Sequence, residues 1–444
     1  MPADLPSPNQ AIAPLATRTD DRGHLIIGGC DVVDLAQRFG TPLYILDEAT
    51  LRAACTQYVE AFKRHYAGDF RVLYASKAWS NLAICAVVHR CGLGIDAVSA
   101  GEVHTALRAG VPGEMVYLHG NNKSEVEIRF AAEVGATVVA DNWLDLEILS
   151  TMTVARPVRV MVRVAPGIDI HTHEYIRTGH LDSKFGFDPS ELAAVLAYLA
   201  RTPSLRAVGL HAHIGSQSFE LAPHGDAAQL LLEWYPKAFA LGLSDFSELN
   251  VGGGLGIRYT DADDPPAIDE WVGTICEVVT RTCRTHNLPL PKLLCEPGRS
   301  LVGPACATVY TVGSTKTVPG IRTYVSVDGG MSDNPRPMTY KALYTAVAAN
   351  KMHDGRREQV TVAGKHCESG DVLLRDVDLP LLERGDYLVV FCTGAYNCSM
   401  ASNYNRLPRP AAVLVSNGEA ALIVKRESLD DLLRYDCLPE RLQT

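Results

Sequence analysis

The sequence predicts an α/β protein: a (β/α)₈ barrel followed by a C-terminal antiparallel β domain. Three observations predict it. Short apolar runs alternate with helix-like segments from residue 43 to 303, which is the signature of parallel strands joined by crossover helices. About eight such units fit a closed barrel better than an open doubly wound sheet. Past residue 303 the helices drop out and strand-like runs are separated only by loops. The barrel is therefore assigned to 43–303 and the β domain to 304–444, with the N-terminal segment 1–42 joining the latter.

Residues 1–20 are rich in Pro, Ala and polar side chains and are expected to run loosely over the surface. His24 to Ile27 reads as a strand that joins the β domain, and Asp31 to Phe39 as a short helix closed by Gly40. Leu43 to Leu46 opens the rhythm as a strand, followed by a helix over 48–65. Val72 to Ser76 is the next strand. Lys77 sits at its end, and Asn81 is placed to cap the helix Leu82 to His89. Further strands are read at Gly94–Ser99, Met115–Gly120, Ala136–Asp141, Val158–Val164, Leu205–His213, Leu249–Gly252 and Lys292–Glu296. The helices between them lie over 101–109, 124–134, 143–151, 189–200, 225–241 and 267–285. No Gly-x-Gly-x-x-Gly follows the first strand, which weakens a dinucleotide reading. In the β domain, strands are read at Thr308–Val312, Arg322–Asp328, Glu358–Ala363, Tyr387–Phe391 and Ala411–Val415.

Composition narrows the function. The chain has 444 residues, 47% hydrophobic and 21% charged, as expected of a protein with a full core. A formal net charge of −10 argues against nucleic acid as a partner. No apolar run is long enough to span a bilayer, and no basic-then-apolar leader opens the chain. The 12 cysteines are scattered without a Cys-x-x-Cys pair, so neither a cysteine zinc site nor a disulfide framework is indicated. A reducing cytoplasm is the expected compartment.

A barrel of this kind carries its site at the C-terminal ends of the strands. Those ends hold Lys77, Asp96, His119, Asp141, Arg163, His213, Gly252 to Gly254 and Glu296. A lysine at a buried strand end is costly unless paired. It reaches solvent, pairs with a carboxylate, or forms a covalent imine with a cofactor aldehyde. The consecutive glycines suit a close approach of backbone N–H groups to a phosphate, or simply a tight turn. In Glu296-Pro-Gly-Arg299 a carboxylate and a bidentate anion grip stand beside that run. His211 and His213, with His171 and His173, also permit a zinc-dependent barrel hydrolase, which would leave Lys77 and the glycines without a role.

Taken together these residues resemble the fold-type III pyridoxal-phosphate decarboxylases. The resemblance runs from about Tyr44 to Val415. It rests on Tyr74-Ala-Ser-Lys-Ala78, Gly120-Asn-Asn-Lys-Ser124, His211-Ala-His-Ile-Gly-Ser-Gln217, Gly252-Gly-Gly-Leu-Gly256 and Glu296-Pro-Gly-Arg299. It continues through Val327-Asp-Gly-Gly-Met-Ser-Asp333, His366-Cys-Glu-Ser-Gly-Asp371, Gly394-Ala-Tyr396 and Ser402-Asn-Tyr-Asn405. The resemblance implies pyridoxal 5′-phosphate as cofactor, no resident metal, and a homodimer whose sites are completed by the partner chain. It implies that Lys77 is the Schiff-base lysine, that His213 stacks on the pyridine ring, and that Glu296 pairs with the ring nitrogen. Ser216, Gly252, Gly253, Gly254 and Gly298 would hold the phosphate, with Asp96, Arg299 and Tyr396 also at the cofactor. Arg299, Arg336, Tyr340, Glu368 and Tyr396 would bind substrate, and Cys367 would deliver a proton. Cys367 and Glu368 would come from the other subunit. The implied substrate is meso-2,6-diaminopimelate, decarboxylated at its D centre to L-lysine. The alternatives are a decarboxylase of another amino acid and a non-catalytic homologue, the latter opposed by intact Lys77, Glu296 and Cys367. Two departures stand out: Ala100 where many relatives carry glycine, and Pro335 and Pro337 flanking Arg336.

Overall fold

The computed structural model describes residues 6–153, 156–168 and 183–443. The chain divides into two compact units, one of Met1–Ala11 with Thr50–Gly303 and one of Ile12–Ala49 with Pro304–Thr444.

The first unit is a closed barrel of eight parallel strands: Phe70–Ala75, Gly94–Ala97, Val116–Leu118, Thr137–Ala140, Val158–Arg163, Leu205–His211, Glu248–Asn250 and Lys292–Cys295. The ring closes where Cys295 lies opposite Val72. The strands read as almost unbroken apolar runs because the outer helices cover one face and the barrel interior fills the other. Leu73, Tyr117, Val139, Met161, Val208 and Leu294 pack together as one buried cluster. Truncating one of these, as in Leu73→Ala, would cost about 2–5 kcal/mol. Helix starts follow the side-chain chemistry. Asn81 accepts from the Ile84 N–H, Ser99 from Glu102, and Asn142 from Asp145, while Ser124 and Glu127 form a reciprocal capping box. Each of these helices begins just past a strand end, so the caps also fix the loops that border the site.

Three readings are corrected here. Leu43–Asp47 is not a barrel strand. It pairs antiparallel with Cys306–Val318 and parallel with Ala411–Ser416, inside the second unit. An apolar run buried on both faces has the same pattern in a barrel as in the middle of any covered sheet, so periodicity could not place it. The N-terminal segment is likewise split at Ala11. Its first part is tied to the barrel unit, where the buried Asn9 amide donates to the carbonyls of Gly256 and Pro266. Finally, the second unit is a mixed sheet, since Arg322–Val327 and Arg357–Ala363 also run parallel. Its strand order runs Val372–Pro380, Arg357–Ala363, Arg322–Val327, Cys306–Val318, Leu43–Asp47, Ala411–Ser416 and Glu419–Val424. Its core gathers Leu25, Ile27, Leu43, Ile45, Val309, Val389 and Val413. No helix among the described residues is long and apolar enough to cross a membrane.

Candidate active site

Within the barrel unit a cavity of about 400 Å³ is lined by Lys77, Asp96, His119, Arg163, Phe185, His211, His213 and Glu296, among others. The strand-end residues converge on it because parallel strands in register deliver their last side chains to one rim. Lys77 lies on a single 3₁₀ turn, Ser76–Ala78, directly after its strand, and its side chain is exposed. The Ser76 hydroxyl anchors that turn, 2.9 Å from the Asp96 carbonyl and 2.8 Å from the Glu102 carboxylate.

Glu296 is the best-held group in the cavity. Its two carboxylate oxygens lie 2.9 Å from His119 Nε2 and 3.1 Å from His211 Nε2, and the Asn250 amide donates to it at 2.6 Å. Burial opposes its ionisation, but the adjacent His119 and His211 rings overcome that and hold the carboxyl well below its usual range. Burial pushes His211 down to about 4, so at neutral pH it is an uncharged ring whose Nε2–H faces Glu296. Its Nδ1 is buried without a partner. His211 therefore steadies the Glu296 anion through a neutral ring N–H. Asp96 contrasts with it. Burial raises its pKa to about 6, His119 opposes the rise, and its Oδ1 accepts no hydrogen bond, lying 3.7 Å from His119 Nε2.

Beside this floor the backbone closes in. A Cβ on Gly253 would fall 2.2 Å from the Glu296 carbonyl, and one on Gly254 2.5 Å from that of Gly215. The Gly253 N–H donates to His213 Nδ1 at 3.2 Å, which fixes that ring. Burial, aided by the charges of Lys77 and Arg163, keeps His213 uncharged. The N–H groups of Gly254 and Gly298 have no acceptor among the described residues. Arg299, itself buried, reaches Ser216 Oγ at 3.0 Å and the Tyr259 hydroxyl at 2.7 Å. Unpaired amides, a hydroxyl and a guanidinium in one place form an anion-binding wall. Arg163 completes the cavity, lying over the Phe185 ring at 4.3 Å and 3.8 Å from Asp141.

The second unit carries the other expected residues in two groups. Arg336 is buried, with its guanidinium 5.9 Å from the Tyr340 ring and 6.0 Å from the Tyr396 ring. Tyr396 holds a positive φ of 63°, a conformation that non-glycine residues adopt at a cost. Cys367 and Glu368 are exposed on a loop held by Asp371, which accepts from the His366 N–H at 2.9 Å and the Met331 N–H at 2.7 Å and bonds His366 Nδ1 at 2.6 Å.

The two histidines of the His-x-His motif divide their work, His211 to Glu296 and His213 to the glycine run. The cluster of described residues at this site with metal-ligating spacing is instead His119, His211 and Glu296. His171 and His173 lie outside the described residues. Asn250, Phe185 and Tyr259 were missed by sequence reasoning. His119 stood on the strand-end register and could have been assigned from it.

The barrel residues fit a phosphorylated aromatic aldehyde. The cavity is large enough for one, with Lys77 on its wall, an anionic floor at Glu296, and free amides on the glycine-rich side. A family profile described as "Pyridoxal-dependent decarboxylase, pyridoxal binding domain" matches residues 48–303. The diaminopimelate decarboxylase of Synechocystis sp. is 56% identical over 98% of this chain and 95% of its own. That of Bacillus subtilis is 45% identical over 95% of this chain and 97% of its own. The crystal structure of diaminopimelate decarboxylase from M. jannaschii in co-complex with L-lysine superposes with a TM-score of 0.91 at 32% identity, covering 98% of this chain and all of that one.

Proposed function

The chain belongs to the pyridoxal-dependent decarboxylase family, and on that premise we propose that it is a carboxy-lyase that converts meso-2,6-diaminopimelate to L-lysine and carbon dioxide, the last step of lysine biosynthesis. The observation that carries this reading is the clamped Glu296 carboxylate facing the same cavity as Lys77. When bound, pyridoxal phosphate supplies a ring that accepts the electron pair left behind as the carboxylate departs.

The protein's own groups do the rest. Lys77 would hold the cofactor covalently. Glu296, kept anionic by its histidines, would hold a proton on the ring nitrogen. His213, fixed by Gly253, would lie against the ring, with Asp96 and Tyr396 also in contact with the cofactor. Ser216, Gly252, Gly253, Gly254 and Gly298 would take the phosphate, helped by Arg299. Arg299, Arg336, Tyr340 and Tyr396 would grip the substrate, and Glu368 its distal ammonium. Cys367 would return a proton to the carbon that lost its carboxylate. Cys367 and Glu368 would come from a second copy of the chain, making the enzyme a homodimer. We place it in the cytoplasm.

Substrate choice is testable. The distal carboxylate of meso-diaminopimelate would pair with buried arginine. L-lysine and L-ornithine lack that group and would leave the charge uncompensated, at a cost of about 3–5 kcal/mol, or a discrimination of 10² or more. Carbon dioxide release from a panel of amino acids should show that preference. Comparable kcat/KM on L-ornithine and meso-diaminopimelate would instead favour a decarboxylase of another amino acid. Lys77→Ala should lose both turnover and the visible absorption of the bound cofactor. An active variant with an unchanged spectrum would refute the role of Lys77.

A further inference from the structure

One pair of sulfurs on the outside of the barrel has no part in the proposed chemistry. Cys55 is buried on the helix Glu48–His65, and Cys91 is half-buried as the C-cap of the helix Leu82–Arg90. The two side chains are hydrogen-bonded to each other. Arg52, one helical turn before Cys55, directs its guanidinium Nη1 at Cys91 Sγ from 3.6 Å. The pair is asymmetric. One sulfur is enclosed and the other partly open, and the cation stands on the open one.

We propose that Cys55 and Cys91 form an oxidisable dithiol that closes to a disulfide on reaction with a hydroperoxide. The guanidinium favours the thiolate at Cys91, which is the reactive form of a cysteine. The hydrogen bond to Cys91, followed by burial, holds the Cys55 thiol well above its usual range, so Cys55 keeps its proton. The Cys91 thiolate attacks a peroxide oxygen. An S–O bond forms, the O–O bond breaks, and the leaving alkoxide or hydroxide takes up a proton. The Cys55 sulfur then attacks Cys91. The S–S bond forms, the S–O bond breaks, and the hydroxyl leaves as water with the Cys55 proton. Overall two thiols lose two electrons and two protons, and the hydroperoxide is reduced to an alcohol (or water) and water. The two thiols are neighbours, and the step brings their sulfurs to the ordinary bond length of about 2.05 Å.

The modification would have a defined topological effect. The covalent loop from Cys55 to Cys91 encloses the first barrel strand, Phe70–Ala75, and the turn that carries Lys77. It would tie the helix before that strand to the end of the helix after it.

The test uses the full-length holoenzyme treated with equimolar hydrogen peroxide, followed by intact mass and peptide mapping. The expected product is a Cys55–Cys91 disulfide, seen as the loss of two hydrogen masses and reversed by dithiothreitol. Cys91→Ser should abolish it while leaving decarboxylation unchanged. Arg52→Met, which keeps both thiols, should slow its formation several-fold, because it removes the cation 3.6 Å from Cys91 Sγ. A sulfinic acid at Cys91 with Cys55 still alkylatable, a disulfide to any other cysteine, or an unchanged rate in Arg52→Met would overturn the proposal.

Discussion

Glu296 shows how much one residue depends on its neighbours. A fully enclosed carboxylate is disfavoured unless charge or hydrogen bonds hold it, and here two imidazoles and the Asn250 amide do so. Glu296→Gln should still bind cofactor, because the glycine run and Lys77 are untouched. It should slow decarboxylation roughly 10²–10³-fold, the usual loss when one aligned electrostatic partner is removed. Near-normal kcat in that variant would remove its assigned role. His224 gives a second test, of stability rather than rate. It is buried against Trp271, with ring centroids 5.3 Å apart, and neither ring nitrogen has a partner. Burial alone lowers its pKa from 6.5 to about 4. The folded state therefore binds its proton less readily than the unfolded chain. The contribution of His224 to stability is complete above pH 6.5 and is lost as pH falls through about 4, amounting to roughly 3 kcal/mol. His224→Leu should shrink the drop in Tm between pH 7 and pH 4.5, and an equal drop in both proteins would refute this. Lys77, Asp96, His213 and Glu296 were legible because each follows an apolar run in the sequence. Tyr259 and Asn250 were not. One sits in an irregular loop, and the other is an interior residue whose only signal is the carboxylate it meets in three dimensions.

At the scale of elements, the loops after the third and fourth barrel strands are joined by one buried lysine. Lys123 donates to the Gly120 and Val139 carbonyls at 2.6 and 2.9 Å and to the Asp145 carboxylate at 2.7 Å. Asp145 also accepts from the Asp141 N–H at 2.9 Å. Gly120 and Asn121 border the cavity, so this pair acts as a strut for its wall. Lys123→Met should destabilise by about 3–5 kcal/mol, because it leaves Asp145 buried and unpaired. The double variant Lys123→Met/Asp145→Leu should be less destabilised than Lys123→Met alone, as read by Tm. If the double variant loses as much as the two single losses added, the two residues are not energetically coupled. The Gly120-Asn-Asn-Lys motif was visible in the sequence, but its reason was not, because the partners lie on another strand-loop unit. The same limit explains the misplaced Leu43–Asp47 and the overlooked anchoring of Asn9. Local pattern reports that a segment is buried, and only long-range pairing says against what. The strand Val372–Pro380 escaped notice because Arg375, Asp376 and Asp378 interrupt its apolar pattern; Glu419–Val424 holds the apolar run Ala420 to Val424, a signal that the sequence reading passed over.

At the scale of the whole molecule, the proposed chemistry is divided between Lys77 in the barrel unit and Cys367 with Glu368 in the other. The loop carrying the latter two is pinned by Asp371, and both side chains are exposed; in the proposed dimer they would act on a ligand held by another copy of the chain. Lys77→Ala and Cys367→Ala homodimers should each be nearly inactive. If the two variants are mixed in equal amounts and allowed to exchange subunits at random, half of the dimers become heterodimers. In a shared-site dimer, one site of each heterodimer combines the intact Lys77 of one subunit with the intact Cys367 of its partner, and the other site lacks both. One quarter of all sites then work, and activity should recover to about a quarter of the wild-type value. If each chain built its own site, every chain in the mixture would lack one essential residue and nothing would be regained. Exchange must be verified independently, for example by mass spectrometry of differently tagged subunits. A mixture that has exchanged and remains inactive would assign Cys367 and Lys77 to the same chain and remove the partner subunit from the mechanism.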